Sequence, residues 1–282
     1  MSELVVAGRK VCFADVGSGE PVLLLHAASS SSAQWRSLSE ALLARGGLRV
    51  LAPDLQGYGG STSWDPRQPL RLEDEFGPLR AVIDHAGGGP LHLIGHSYGA
   101  MLALRLALAD PALRLRSLTL IEPVAFWLLR GAGEQGLYTE IRTIAEAAMQ
   151  AFDAGDIVGT VAPYIDYWSG QGAWEALPEP VRNYVLATAG KARWAVALGD
   201  TDAGASLTDC ERLQVPTLLI RGERARAPTR RIVDLLQDAI PGASIADIPN
   251  ASHMAPITHP EPVNAAIAAH LSRVSSSPAG DV

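Results

Sequence analysis

Short apolar runs alternate with amphipathic stretches along most of the chain. Continuous apolar runs are typical of strands covered on both faces, and apolar residues repeated every three or four positions indicate helices packed on such a sheet. Their alternation predicts an α/β fold with a mostly parallel central sheet and helices on both faces. The predicted strands are two short pieces within residues 5–16 and the runs 21–25, 49–52, 91–94, 117–121, 216–222 and 244–248. Helices are predicted at 35–44, 72–85, 100–107, 229–239 and 262–273.

Residues 124–206 break this alternation, because they show helical patterning and no convincing strand. They hold four of the six tryptophans and four of the six tyrosines of the chain. Large rings can form the core of a small helical subdomain or line a pocket beneath a lid, and the sequence is compatible with both. We expect a core of residues 1–123 and 207–274, an inserted helical lid at 124–206 and a disordered tail at 275–282.

Composition narrows the class of protein. The 282 residues are 48% hydrophobic and 19% charged, which favours a large folded core over disorder. The net charge of −7, with dispersed Lys and Arg, argues against partners such as nucleic acid or an anionic membrane. No apolar run reaches the roughly 18–20 residues of a membrane span, and the N-terminus does not read as a signal peptide, so we expect a cytoplasmic protein without membrane insertion.

Cys12 and Cys210 lie far apart, and no Cys/His cluster accompanies them, so we expect reduced thiols and no metal site. The sequence does not determine the oligomeric state, and a homodimer is compatible with it.

The motif Gly95-His96-Ser97-Tyr98-Gly99 lies between the apolar run 91–94 and the helical run 100–107. A G-x-S-x-G sequence between a strand and a helix is typical of a sharp turn that exposes the serine hydroxyl. The two glycines avoid collisions with neighbouring elements, and the helix N-terminus favours negative charge. Ser97 is therefore the candidate nucleophile.

A serine hydroxyl requires a base and hydrogen-bond donors for the oxyanion that forms on attack. His253 is the candidate base, because it follows the last predicted strand and so lies at the same edge of the sheet as Ser97. The N–H groups of Tyr98 and Ala28 are the candidate oxyanion donors. His26 ends a strand at this edge. We interpret it mainly as a brace for the loop at residues 26–29, which carries Ala28 and is called the oxyanion loop below.

The chain resembles a lid-bearing α/β-hydrolase over nearly its whole length. The resemblance rests on His26-Ala27, the D-x-x-G-x-G-x-S loop at 54–61, the motif at 95–99 and Ser252-His253-Met254. It implies a doubly covered, mostly parallel sheet with an inserted lid. It also implies hydrolysis through an acyl-enzyme without a cofactor. One departure is Ala27, where the family usually has glycine.

The acid that should orient His253 is the second departure. Relatives often place an aspartate at the position of Ala225, which carries no charge. Glu122 is the preferred substitute, because it ends the strand predicted to lie beside the nucleophile strand, and some members of the superfamily place their acid there. Alternatives left open at this point are Glu223, Asp200 and Asp202.

The leading hypothesis is therefore a serine hydrolase acting on a carboxylic ester or a related acyl compound, with a small or medium apolar acyl group. C–C bond hydrolysis, lactone hydrolysis and acyl transfer would use the same triad. A catalytically degenerate ligand-binding protein is the alternative from another class, supported by Ala27 and Ala225. The expected pocket residues are His26, Ser29, Trp127, Tyr164 and Trp168.

Overall fold

The computed structural model describes residues 1–200 and 205–276, and these contain an eight-stranded sheet with the strand order β1-β2-β4-β3-β5-β6-β7-β8. The pairs β1–β2 and β2–β4 are antiparallel, and the other neighbours are parallel. The predicted α/β class with a mostly parallel sheet is confirmed. The strands are β1 (Ser2–Val6), β2 (Arg9–Gly17), β3 (Glu20–Leu25), β4 (Leu48–Pro53), β5 (Leu91–His96), β6 (Leu115–Ile121), β7 (Thr217–Gly222) and β8 (Ser244–Ile248).

Helices cover both faces of the sheet, so the central strands have few polar positions. Every residue of β5 is buried, as expected for a strand between two helical layers. The predicted helix at 35–44 begins instead with a 3₁₀ turn, Ser32–Trp35. The helices are α1 (Arg36–Leu43), α2 (Leu72–His85), α3 (Tyr98–Ala109), α4 (Trp127–Gly131), α5 (Gln135–Asp153), α6 (Ile157–Ser169), α7 (Ala173–Ala176), α8 (Glu179–Leu198), α9 (Leu207–Cys210), α10 (Ala227–Ala239), α11 (Ala255–Thr258) and α12 (Pro260–Ser276).

Two apolar clusters fill the space between the sheet and its helices. On one face, α2, α3 and α10 pack their apolar sides on the strands, and on the other face α1 and α12 do so. Helices α4 to α9 lie between β6 and β7, and α4 to α8 occupy most of the segment expected to form a lid. Residues 201–204 of that segment lie outside the described residues, as do 277–282 of the expected tail, and α12 extends two residues into that tail.

The carboxyl ends of four strands bring the candidate residues to one edge of the sheet. His26 follows β3, Ser97 follows β5, Glu122 follows β6, and His253 lies in the loop after β8. Parallel strands all end at the same edge, which is why residues far apart along the chain can meet here. Among the residues that the structure describes, no helix is both long and apolar enough to cross a bilayer.

Candidate active site

The turn between β5 and α3 has the strained geometry that the motif predicts. Ser97 has φ 55° and ψ −114°, a backbone conformation that residues other than glycine seldom adopt. A Cβ atom on Gly95 would lie 2.3 Å from the carbonyl oxygen of Gly99, and one on Gly99 would lie 2.2 Å from that of Leu25. Both positions therefore require glycine, and the turn directs the Ser97 hydroxyl out of the sheet edge.

Ser97, His253 and Glu122 form one hydrogen-bonded chain. The Oγ of Ser97 lies 2.9 Å from Nε2 of His253, and Nδ1 of His253 lies 2.8 Å from Oε2 of Glu122. All three residues are buried. Because the carboxylate can only accept, Nδ1 carries the proton and Nε2 is left to accept the serine proton. This is the tautomer that a general base requires.

The backbone around Glu122 fixes its carboxylate. Its second oxygen, Oε1, accepts the N–H of Gly222 at 2.8 Å, so both oxygens have partners. Glu122 itself has φ 44°, and its N–H donates to the carbonyl of Ile220 at 2.9 Å. Strained non-glycine backbone is typical of functional sites. Ser29, Ser97 and Glu122 are three of the five such residues in the described chain.

Glu223 and Asp200 are bonded to groups other than His253. Glu223 is exposed, and its Oε2 accepts the N–H of Asn250 at 2.9 Å. Asp200 accepts the hydroxyl of Tyr138 at 2.7 Å, on the lid. Asp202 lies outside the described residues.

The two candidate oxyanion donors are backbone N–H groups beside the cavity. Tyr98 follows Ser97 at the first turn of α3, and Ala28 lies in the loop after β3. No protein acceptor is bonded to either N–H within residues 1–200 and 205–276. Both residues line the same cavity as Ser97, so both N–H groups remain available to a substrate carbonyl.

His26 lies beneath the oxyanion loop and outside the cavity, contrary to its expected place among the pocket residues. Its Nδ1–H donates to the carbonyl of Ala27 at 2.7 Å, and its Nε2 accepts the N–H of Leu55 at 2.9 Å. Complete burial lowers its pKa to about 4, so the ring stays neutral near pH 7. The arrangement matches the interpretation of His26 as a brace.

His96 was given no role by the sequence pattern, but its ring joins the two loops of the site. Its Nε2–H donates to the carbonyl of His253 at 2.8 Å, and its Nδ1 accepts from the amide of Gln34 at 3.1 Å. The oxygen of the same amide accepts the N–H of Ala27 at 3.2 Å. Burial lowers the pKa of His96 to about 3, which keeps this donor pattern fixed. The chain of hydrogen bonds ties the oxyanion loop to the loop of the candidate base.

A cavity of about 510 Å³ opens above Ser97 between the core and the inserted helices. Three of the expected pocket residues, Ser29, Tyr164 and Trp168, line it. The other walls are almost entirely apolar, and include Val124, Phe126, Met149, Val161, Ile165, Leu177, Val181, Val185, Val196 and Ile257.

Trp127 does not line the cavity, although it was expected to. It is the first residue of α4, its ring is buried, and its Nε1–H donates to the carbonyl of Ala205 at 2.6 Å. The guanidinium of Arg105 lies 4.0 Å from the centre of the ring. Trp127 thus belongs to the apolar cluster on the sheet, whereas Tyr164 and Trp168 of α6 line the cavity.

A buried ion pair joins the inserted helices to the core, and no sequence signal indicated it. The Nζ of Lys191, on α8, contacts Oε1 of Glu75, on α2, and both side chains are at most 2% exposed. The Tyr98 hydroxyl donates to the same carboxylate oxygen at 2.9 Å. Desolvation lowers the pKa of Lys191, and the charge of Glu75 opposes that shift. Through this hydrogen bond the pair contacts the side chain of Tyr98, whose N–H is one of the two candidate oxyanion donors.

No group of three or more metal-ligating side chains occurs within the described ranges.

Comparisons with known proteins agree with this architecture. The family profile "Alpha/beta hydrolase family" matches residues 22–266. Lipase LipV of Mycobacterium tuberculosis is 28% identical over 165 residues, which are 58% of this chain and 55% of LipV. Epoxide hydrolase 3 of Siraitia grosvenorii is 36% identical over 106 residues, or 37% of this chain and 33% of that protein. The matched regions thus span about half of these curated relatives or less.

A solved structure covers far more of the chain. The thermophilic esterase from Thermogutta terrifontis matches with a TM-score of 0.76 at 23% identity, and the match covers 97% of this chain and 99% of that one. At this level of identity the likeness shows the fold alone. The family profile, in contrast, includes the turn of Ser97, the end of β6 and the loop of His253. The chain belongs to the alpha/beta hydrolase family.

Proposed function

We propose that the protein is a serine hydrolase that cleaves a carboxylic ester through an acyl-enzyme. The observation that carries this proposal is the hydrogen-bonded chain from Ser97 through His253 to Glu122, which begins at the wall of an apolar cavity. A nucleophile, a base and an orienting acid, with two unbonded N–H groups beside them, are the parts that acyl transfer requires.

In the first half-reaction, Oγ of Ser97 attacks the ester carbonyl while its proton passes to Nε2 of His253. Negative charge develops on the carbonyl oxygen and is stabilised by the N–H groups of Tyr98 and Ala28. Glu122 stabilises the imidazolium that forms. The imidazolium then protonates the alkoxide as the C–O bond breaks, leaving an acyl group on Ser97. Water repeats the sequence and releases the acid.

A serine at the nucleophile position argues against epoxide opening, in spite of the similarity to epoxide hydrolases. Epoxide opening through an alkyl-enzyme ester needs a carboxylate as nucleophile, and a hydroxyl cannot replace it. Because Ser97 occupies the nucleophile position of this turn, we favour acyl transfer instead.

The cavity indicates the class of acyl group. A volume of about 510 Å³ with apolar walls fits a medium-length aliphatic or aromatic acyl chain better than a charged one. Arg193 is the one arginine or lysine on the wall formed by the described residues, and it is paired with Asp153 at 2.7 Å. We therefore expect acids with a second free carboxylate to be poor acyl groups.

The test combines a covalent probe with a substrate panel. A fluorophosphonate should label the wild-type protein at Ser97 and leave Ser97→Ala unlabelled, as read by peptide mass spectrometry. A series of p-nitrophenyl esters should show highest kcat/KM for medium acyl chains. Failure of folded wild-type protein to react would refute the proposal. Activity confined to lactones or ring-cleavage diketones would keep the triad and replace the ester as substrate.

A further inference from the structure

The indole of Trp168, on the lid helix α6, stacks directly on the imidazole of His253. The ring centroids are 4.4 Å apart, and the ring planes are inclined by 30°. Trp168 is only 6% exposed, so little water competes for this face of the indole. This distance is well within the roughly 6 Å over which an aromatic face attracts a cation.

The edges of the imidazole are already occupied, which leaves its face for the indole. Glu122 accepts from Nδ1, and Ser97 lies at Nε2. The ring of His96 is 5.3 Å away, centroid to centroid, and burial keeps it neutral. Among the described residues, the carboxylate of Glu122 is thus the charged group that contacts His253, and Trp168 supplies the π face.

Three other rings hold the indole in place. Phe126 stacks on it with centroids 6.3 Å apart, while Tyr164 and Tyr167 meet it edge-on at 5.8 Å and 4.8 Å. Burial raises the pKa values of both tyrosines, to about 12 for Tyr164, so both hydroxyls are neutral near pH 7. The Nε–H of Arg226, just before α10, donates to the carbonyl of Tyr167 at 2.6 Å and ties this part of α6 to the core.

We propose that Trp168 is a positioning residue that stabilises the protonated form of His253, so that the lid contributes to the proton transfers of the reaction. This inference rests on the proposed function. When Oγ of Ser97 forms its bond to the carbonyl carbon, its proton moves to Nε2, and the imidazole becomes a cation against the indole face. The cation is neutralised when Nε2 gives that proton to the leaving oxygen. The attraction is therefore strongest between the two transfers, while the imidazole carries its positive charge.

A pH profile separates this role from a purely structural one. Trp168→Leu keeps an apolar cover but removes the π face, and Trp168→Phe keeps an aromatic face. We expect Trp168→Leu to lower kcat/KM by about 3- to 30-fold and to move the acid limb of the profile to lower pH by about 0.5 to 1.5 units. Trp168→Phe should restore much of both. Trp174→Leu is the matched control, because it removes a buried lid indole from a separate cluster and should leave the acid limb in place.

Fluorinated tryptophan gives a second test that does not alter packing volume much. Fluorine withdraws electron density from the indole face. When all six tryptophans are replaced by fluorinated tryptophan, the acid limb of the kcat/KM profile should therefore move to lower pH, and further with each added fluorine on the ring. The same labelling in Trp168→Phe should have no such effect. An acid limb that stays fixed in Trp168→Leu, or moves to higher pH, would overturn the inference and leave the indole as an apolar cover.

The outcome can be distinguished from failure of the proposed function. If wild-type protein does not react with fluorophosphonate, the hydrolase proposal fails. The ring protons of His253 can still be titrated by NMR in wild type and Trp168→Leu. A midpoint that is lower in the variant supports the stabilisation of the cation, and an equal midpoint refutes it.

Discussion

The ion pair between Lys191 and Glu75 provides a stringent test of how the lid is held. Lys191→Met keeps much of the side-chain volume but leaves the carboxylate of Glu75 buried without its cation. Breaking one partner of a buried pair typically costs about 3–5 kcal/mol. The remaining partners of Glu75 are the Tyr98 hydroxyl at 2.9 Å and the N–H of Gln56 at 3.4 Å, and neither carries charge. We therefore expect Lys191→Met to lower the free energy of unfolding by about 3–5 kcal/mol.

The double variant Lys191→Met, Glu75→Gln removes both charges and keeps a hydrogen-bonding group at position 75. It should therefore recover much of the stability that the single variant loses, with a coupling free energy of about 2–4 kcal/mol. The measurement is urea unfolding at pH 7, followed by fluorescence and circular dichroism. Arg182→Met is the control, because Arg182 lies on α8 like Lys191 but forms a more exposed ion pair, with Glu175 of α7. Its loss should lower the free energy of unfolding by less than about 1 kcal/mol.

The reasoning would be refuted if Lys191→Met lost less than about 1 kcal/mol, or if the double variant were no more stable than the single one. In either case the pair would not be a buried, mutually dependent unit.

Three further predictions concern the site and its pH dependence. Glu122→Gln should reduce kcat by about 10⁴-fold because an amide donor favours the wrong tautomer of the base, whereas Glu223→Gln should change kcat only a few-fold; equal effects in ester hydrolysis would contradict the assignment. Gln34→Leu should lower kcat/KM by about 10- to 100-fold by releasing His96 and the oxyanion loop, and Gln34→Glu, which keeps the acceptor, should lose less. Burial lowers the folded-state pKa of His96 to about 3 and of His270 to about 4, below the unfolded value of about 6.5. As the pH falls, the unfolded state therefore binds protons before the folded state does. The free energy of unfolding should drop by on the order of 3 kcal/mol per group as the pH is lowered from about 6.5 to 4. In urea unfolding at a series of pH values, His270→Gln should make this decrease with falling pH smaller.

The order of elements and the position of the nucleophile could be read from the sequence with little loss. Apolar runs such as 91–94 indicate strands of a parallel sheet that is covered on both faces. The glycines around Ser97 indicate a turn too tight for side chains at those positions. The strand that carries Glu122 was predicted beside the nucleophile strand, and β6 does pair with β5. These features are local, or follow from general rules of chain connection.

The contacts within the lid and beneath the site could not be read in this way. Trp127 and Trp168 lie in the same aromatic-rich segment, yet Trp127 is buried against Arg105 and Ala205 whereas Trp168 stacks on His253. Periodicity states that a face is apolar, but not which partner covers it. Lys191 looks like any other polar residue on a long helix, and only docking of α8 brings it within reach of Glu75.

The sequence by itself determined the class of fold, the strained turn at Ser97 and the set of acids and bases available at one sheet edge, because strand periodicity and turn geometry are properties of short stretches of chain. Tertiary structure decided that Glu122, preferred but not fixed by the sequence, contacts His253. It alone decided that His96 and Gln34 join two loops and that Trp168 covers the base. Those outcomes depend on distances between residues far apart in the chain, which are set by how the layers pack and not by local pattern.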